Sequence, residues 1–267
     1  MLISKALNFK KSAFISLVGA GGKSTIFFLL AYELSKKKKK IILTTTAHMF
    51  TRQLNPFITT KNLIETDDEK IMEDDIKKFF HQNENRKIVL IHHRLKEKEE
   101  EKVAGPSPDY LSQWWNLGLA DYFLVEADGA RGRPLKAPAS HEPVICKSTT
   151  DLIGVIGIDA LGLPLEEKNV FRPHLFSQLT GMKIKEKISL GAMAALICHP
   201  QGLFKSAPLH SKCHLFINKV DDELRKKLAK KLAVQVLQYN CGKINDIIIG
   251  SSYQKVQPVI EVIKGSR

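Results

Sequence analysis

The chain reads as a three-layer α/β protein built on a mostly parallel sheet and similar to P-loop nucleotide-binding proteins. Three observations predict this. Short apolar runs alternate with segments that can be helical, a Gly-rich loop joins the first run to a helix, and a central apolar run ends in two carboxylates. Such alternation implies βαβ units, and strands that are apolar throughout are covered on both faces. Ligands of open α/β sheets sit at the carboxyl ends of the strands, so the residues that follow each strand carry the functional reading.

The first run, Phe14 to Val18, leads into Gly19-Ala20-Gly21-Gly22-Lys23-Ser24-Thr25, and a helical stretch, Ile26 to Leu34, leaves it. Glycines let the backbone curl so that N–H groups point inward, the helix start adds the positive end of its dipole, and Lys23 reaches the outer phosphates. Ser24 is then the Mg²⁺ ligand. In the G-x-x-x-x-G-K-[ST] pattern the first glycine lies five residues before the second. Here that position is Leu17, and the loop opens at Gly19, two residues shorter. The competing reading is a plain Gly-rich turn followed by a lysine, and the intact Gly-Lys-Ser-Thr between strand and helix favours phosphate.

At 267 residues and 43% hydrophobic content the chain can bury a sizeable core, which leaves disorder aside. One P-loop-like domain over 1–267 is expected, with a polar insertion near 53–85. The formal net charge of +13 points to an acidic partner. The lysines nevertheless fall in solvated blocks such as Lys36 to Lys40, and no nucleic-acid module is recognisable, so an anionic nucleotide or cofactor is expected and RNA or DNA is not. Cys146, Cys198, Cys213 and Cys241 are widely spaced without C-x-x-C, as reduced core cysteines of a cytosolic protein are. A metal or transfer role for one of them is the alternative. The first apolar run is too short for a secretory signal or a membrane span, so the expected location is cytoplasmic, with no membrane partner.

Further strands are expected at Ile41 to Thr45, Lys87 to Ile91, Tyr122 to Glu126, Leu152 to Ile156, His214 to Ile217 and Ile247 to Ile249. The second strand ends in Thr44-Thr45-Thr46-Ala47-His48-Met49. Thr45, Thr46 or His48 there faces phosphate, magnesium or a second substrate, unless the threonines simply finish a strand. A helix is expected over Glu69 to Phe80. After the third strand, His92-His93-Arg94 opens a charged linker to Gly105, and no third ligand at a metal-site spacing accompanies the histidines. A helix starting near Ser107 carries Tyr110, Trp114 and Trp115, which core packing explains.

The fourth strand runs into Glu126-Ala127-Asp128-Gly129-Ala130-Arg131-Gly132-Arg133-Pro134-Leu135-Lys136. A Mg²⁺-nucleotide site needs carboxylates opposite its glycine loop, one to hold the metal through water and another to orient a nucleophilic water. Asp128 is assigned the metal, with Ser24; Glu126 or Asp128 positions the water. On a continuing strand both would face one side. The loop beyond, bearing Arg131, Arg133 and Lys136, suits phosphate or carboxylate recognition. A strand end with caps and a solvated basic loop is the bland alternative.

Downstream, a strand ends in Asn218-Lys219-Val220-Asp221. N-K-x-D there resembles the guanine-reading motif of GTPases, in which the Asp accepts from guanine N1 and N2 while the lysine stem covers the ring. Gly250-Ser251-Ser252 ends a later strand, where a second base-contacting loop would lie. Asp221 also precedes an amphipathic helix with Leu224, Leu228, Leu232 and Val236 four apart, so a helix cap is the alternative. A helix over Ile188 to Cys198 and a loop in which Lys205 is a substrate-contact candidate complete the reading.

Taken together, Gly19 to Thr25, Thr44-Thr45-Thr46-x-His48-Met49, Val125 to Pro138, His141 to Ile145, Asp159 to Leu165, Phe171-Arg172-Pro173 and Asn218 to Asp221 resemble the YqeC family, accessory proteins of selenium-dependent hydroxylases. The resemblance covers nearly the whole chain. Ser24 stands where Thr is common and Phe171 where His is common. It implies a role in maturing selenium-dependent molybdenum hydroxylases, with a client hydroxylase or a cofactor-processing protein as partner. Mg²⁺-GTP, or less favoured Mg²⁺-ATP, is the expected ligand, bound and hydrolysed with Lys23, Glu126 and Asp128 in catalytic roles. The alternatives are a non-hydrolytic carrier of a molybdopterin dinucleotide, that is, of the molybdenum cofactor, and a small-molecule kinase in which Thr46, His48 or Arg133 contacts the acceptor.

Overall fold

The computed structural model describes residues 1–37, 39–51, 62–82, 87–91, 93–97, 100–239, 242–254 and 256–265. Cys241, His92 and the parts of the expected insertion at 53–61 and 83–85 lie outside these residues. Nine strands form one sheet. From edge to edge they are Leu63–Glu65 (β4), Lys87–Ile91 (β5), Ile41–Thr45 (β2), Tyr122–Glu126 (β8), Ala13–Gly19 (β1), Asp151–Gly157 (β10), Lys212–Asn218 (β12), Ile244–Gly250 (β13) and Val259–Lys264 (β14). Every neighbouring pair is parallel except β13 with β14. The apolar runs expected to be strands are all in this sheet, and β4 and β14 close its edges.

The alternation of side chains along a strand sorts this sheet into two faces. Ile15 and Leu17 of β1, Leu124 of β8, Ile153 and Val155 of β10, Phe216 of β12 and Ile248 of β13 face one way. They pack beneath the helices Ile3–Ala6 (α1) and Lys23–Ser35 (α2). Phe14, Ile42, Ile88 and Phe123 face the other way, under Glu69–Gln82 (α3) and Pro108–Asn116 (α4). On that same face Leu152, Leu215, Ile217 and Ile249 lie under Pro173–Thr180 (α5), Leu190–Cys198 (α6) and Glu223–Gln238 (α7). The result is the expected three layers. Helix starts follow the caps in the sequence: Ser107 accepts from the Tyr110 amide, Ser189 from Ala192 and Asp222 from Arg225. Glu33, buried in α2, accepts the amides of Ile3 and Ser4 and so ties α1 down. Cys146 and Cys213 are buried free thiols and Cys198 is half-buried. Burial, with Asp109 nearby, pushes the Cys146 thiol up to about 12, which makes it inert. Among the described residues no helix is long and apolar enough to cross a membrane.

Two smaller sheets were not foreseen. The expected charged linker after His93 is instead a hairpin, His93–Glu97 (β6) and Glu100–Ala104 (β7), which pairs with His48–Phe50 (β3) in an antiparallel sheet. Its covered face rests on Met49 and Val103, too few apolar positions to give a readable alternation among so many charges. Arg94 forks onto Glu65 at 2.6 and 2.9 Å and reaches Glu101 at 3.0 Å. The second is a parallel two-stranded ribbon, Leu135–Lys136 (β9) with Val170–Phe171 (β11). Lys136, expected on a solvated loop, is therefore 2% exposed.

Strand parity also builds a polar cluster at the end of the sheet remote from the glycine loop. Asp151, His214 and Asp246 share the α2 face, with His214 in register beside Asp246. His214, fully buried, lies 3.2 Å from Asp151 through Nε2 and 3.0 Å from Asp246 through Nδ1. Burial lowers its pKa, but the hydrogen bonds and charges of Asp151 and Asp246 outweigh this and raise it above the usual histidine value. The His214 hydrogen bond, opposed by burial and helped by Lys264, holds Asp246 at about 2. A raised histidine pKa stabilises the fold fully below about 6.5 and loses that contribution as pH rises through the folded value. The depressed Asp246 contributes fully above its unfolded value and loses this as pH falls toward 2. His214→Ala should therefore cost about 3–5 kcal/mol in denaturant unfolding near pH 5, with a smaller gap from the parent protein at pH 9. A gap that does not shrink toward pH 9 would show that folding does not raise the His214 pKa.

Candidate functional site

The site forms where β1 and β8 lie side by side, with Leu17 in register with Glu126. Glycine is required in the loop for two reasons. Gly19, Gly21 and Gly22 have φ of 94°, 77° and 103°, in the left-handed region that disfavours a side chain. A Cβ on Gly21 would also stand 2.1 Å from the Gly157 amide nitrogen, and one on Gly19 2.3 Å from the Val155 carbonyl. The loop thus lies against β10, and its amides are partly spoken for: Gly19 donates to Asp128 Oδ2, Ala20 to Val155 and Gly21 to Arg133. Gly22 caps α2 with no side-chain bond, so helix geometry leaves the amides of Lys23 and Thr25 without an intrahelical acceptor, directed at the cleft.

Lys23 is the first residue of α2 and is 3% exposed. Its ammonium lies 2.8 Å from Glu126 Oε1 and 3.1 Å from Asp128 Oδ1, and also donates to the Asp128 main-chain carbonyl. Burial lowers the lysine pKa, but the charges of Glu126 and Asp128 and their hydrogen bonds more than reverse this, so Lys23 is held above its usual value and charged. Glu126 turns its other oxygen to the Ser24 hydroxyl at 3.0 Å. Sequence reasoning assigned Asp128 to the metal beside Ser24; the carboxylate placed on Ser24 is Glu126. Asp128 instead meets Lys136 at 2.9 Å, and Lys136 meets Glu142 at 2.7 Å, which also pairs with Arg172 at 2.5 Å. Burial raises the Glu142 pKa, but the hydrogen bonds and charges of Arg172 and Lys136 prevail and bring it to about 2. A continuous row of alternating charges runs from Lys23 to Arg172.

A cleft of about 450 Å³ opens above this row. Gly21 to Thr25, Glu126, His48, Arg131, Arg133 and Lys219 line it, all named by the sequence except that Glu126 and Lys23 are largely covered. Burial, with Lys102 and His93 nearby, lowers the His48 pKa, so its imidazole is neutral at pH 7. Thr45 and Thr46 do not line the cleft; Thr45 donates to the Glu126 carbonyl at 2.8 Å and Thr46 to the Val144 carbonyl at 2.6 Å. They finish the strand and brace its neighbour. Lys205 donates to the carbonyls of Ala139 and Ser140, a structural tie. Phe171, Arg172, Glu142 and Lys102 also line the cleft and were given no site role from the sequence. Phe171-Arg172-Pro173 did stand among the family-like blocks, which was the available signal.

Asn218 is fully buried beneath the loop. Its amide donates to the Gly21 carbonyl at 2.7 Å and to Ser252 Oγ at 3.0 Å, while its oxygen accepts the Ser252 amide at 2.8 Å. Lys219 lines the cleft with φ 63° and pairs with Asp159 at 2.7 Å. Asp221 receives Ser251 Oγ at 2.5 Å and lies 3.0 Å from Arg225. The N-K-x-D segment, the Gly250-Ser251-Ser252 loop and the glycine loop are thus one hydrogen-bonded unit. Among the described residues no group of three or more His, Cys, Asp or Glu is arranged to hold a metal.

A mostly parallel sheet whose central strand feeds a glycine loop and a helix-starting lysine, beside a strand ending in a carboxylate, defines an α/β protein of P-loop-like fold. The chain belongs to the YqeC family: the family described as YqeC protein matches residues 15–174. It is also 33% identical over 230 residues to the Escherichia coli K12 protein called "Uncharacterized protein YqeC", spanning 86% of this chain and 84% of that one.

Replacing Asn218 by Ala removes every bond that joins the glycine loop to the Ser251–Ser252 loop through that side chain. We expect a loss of about 1–3 kcal/mol in denaturant unfolding, with faster amide exchange at Ser252. Unchanged exchange at that amide would mean that the loops are joined by something other than Asn218.

Proposed function

We propose that this protein binds a Mg²⁺-nucleoside triphosphate in the cleft above β1 and β8, hydrolyses it, and serves as a maturation factor for selenium-dependent molybdenum hydroxylases. The single observation that carries the nucleotide reading is the joining, through Asn218, of a glycine loop with a helix-starting lysine to an N-K-x-D segment. The client reading rests on the family resemblance and on family membership.

The residues present fit the ligands. Amides at the start of α2 and the Lys23 ammonium suit phosphate oxygens. The Ser24 hydroxyl and Glu126 carboxylate, 3.0 Å apart, are hard oxygen donors of the kind Mg²⁺ takes. Bound there, Mg²⁺ would neutralise charge on the phosphate oxygens. Lys23 would turn from its carboxylates toward those oxygens, Glu126 would hold the metal with Ser24, and Asp128 would fix the positions of Lys23 and Lys136. Lys219 would cover the base and Asp221 would accept its donors, which favours guanine over adenine.

Calorimetric titration with Mg²⁺-GTP, Mg²⁺-ATP and molybdopterin cytosine dinucleotide tests this. The expected result is preference for Mg²⁺-GTP, lost in Lys23→Ala and in Asp221→Ala, with Glu126→Gln turning over at least about tenfold more slowly than the parent. Unimpaired turnover in Glu126→Gln would sink its assignment. Binding of the dinucleotide alone, insensitive to Asp221→Ala, would make the protein a cofactor carrier whose GTPase-like motifs are structural.

A further inference from the structure

The nucleotide reading uses the glycine loop and Lys219. Phe171, Arg172, Arg131, His48, Phe50 and Lys102 line the same cleft. We propose that these residues form a second-substrate subsite for a planar aromatic anion, a flat ring bearing a phosphate or carboxylate. The proposal rests on the nucleotide reading only in leaving the glycine loop and Lys219 to the nucleotide.

Charge is the first argument. Lys23, Lys102, Arg131, Arg133, Arg172 and Lys219 line the cleft against two carboxylates, Glu126 and Glu142. Glu126 is engaged by Lys23 and Ser24, and Glu142 is shared by Lys136 and Arg172. Beside Phe171, Arg172 and Lys136 share Glu142 while Arg131 adds a further guanidinium, so an anion is the complementary ligand.

Backbone conformation is the second. Among the described residues six non-glycine positions have positive φ, and three of them, Arg131 at 48°, Arg172 at 66° and Lys219 at 63°, are cations lining this cleft. Left-handed backbone at such residues is strained and persists where surrounding structure imposes it, commonly at ligand clamps. Here the imposition is visible. The β9–β11 ribbon pins Phe171 beside Lys136, and Arg172 starts α5 while held to Glu142 at 2.5 Å.

Shape is the third. The Arg172 and Arg131 guanidiniums lie 4.3 and 5.2 Å from the Phe171 ring centroid. From the small antiparallel sheet, Lys102 lies 5.3 Å from the Phe50 ring. Each group offers an aromatic face with cations at it, a surface on which a flat ring stacks while its anionic group meets a planar guanidinium. A purely anionic ligand would need no rings, and a neutral aromatic one no arginines.

Fluorescence titration with 1-naphthyl phosphate, in the presence and absence of saturating Mg²⁺-GTP, tests the subsite. We expect saturable binding that Mg²⁺-GTP does not displace and Asp221→Ala does not alter. Phe171→Leu and the exposed-site variant Arg131→Ala should each weaken it about fivefold or more. 1-Naphthol, lacking charge, and inorganic phosphate, lacking a ring, should bind at least about fivefold more weakly. Displacement by Mg²⁺-GTP, or binding unchanged in both the Phe171 and Arg131 variants, would overturn the proposal, as would no saturable binding. Failure of the nucleotide reading shows separately, as absent Mg²⁺-GTP binding while naphthyl phosphate still binds in a Phe171- and Arg131-dependent way.

Discussion

The buried ammonium of Lys23, held between Glu126 and Asp128, is the interaction on which the rest of the site depends. Removing a charge from water costs several kcal/mol, and only close opposite charges and good hydrogen bonds repay it. That demand fixes much of the local architecture. β8 must lie directly against β1 so that Glu126 reaches the start of α2, and the loop between β1 and α2 must be short and bare enough to deliver Lys23 there. Gly19 and Gly21 meet the second requirement by allowing the loop to touch the β10 backbone, where a methyl group would collide with main-chain atoms.

One rule of strand geometry arranges everything else on the α2 side. Because alternate residues face alternate sides, Glu126 shares a face with Leu124, and Asn218 with Phe216 and His214. All of them face the layer that contains α2. The carboxyl ends of these strands then present the loop, the carboxylates and Asn218 together. Their amino ends present Asp151, His214 and Asp246 at the far side of the same core, where the cluster serves stability. The two polar groups are products of one pattern, separated by the length of the strands.

This rule also explains what could be read from the sequence. Strands of uninterrupted apolar residues, helix-capping serines and aspartates, and the Gly-Lys-Ser corner carry local signals, so the layers, the sheet and the loop were legible. Asp128 reaches Lys23 together with Glu126, as the alternation suggests, but β8 stops at Glu126, so the alternation does not say what else Asp128 meets. Beyond that point Asp128 turns toward the Gly19 amide and Lys136. Phe171, Arg172 and Glu142 depend on the two-residue ribbon that joins Lys136 to Phe171, a pairing between distant segments too short to leave a periodic trace. The hairpin before Gly105 was obscured by charge on nearly every position.

The row of charges beyond Lys23 has an energetic consequence on the nucleotide reading. If Lys23 turned to a phosphate while Asp128 had no other partner, a buried carboxylate would be stranded, at a cost comparable to the gain. Asp128 is not so placed: Lys136 stands 2.9 Å away and the Gly19 amide 3.1 Å away. Glu126 likewise keeps the Ser24 hydroxyl. Lys136 can hold Asp128 because it is itself buried and donates to the Gly129 carbonyl at 2.6 Å, and because Arg172 shares the charge of Glu142. The second lysine therefore makes the first one exchangeable. A site that needed Lys23 only as a structural ion would require its two carboxylates and nothing more; the buried Lys136 and the ion pairs behind it give the fold a way to release Lys23 without exposing an unpaired charge.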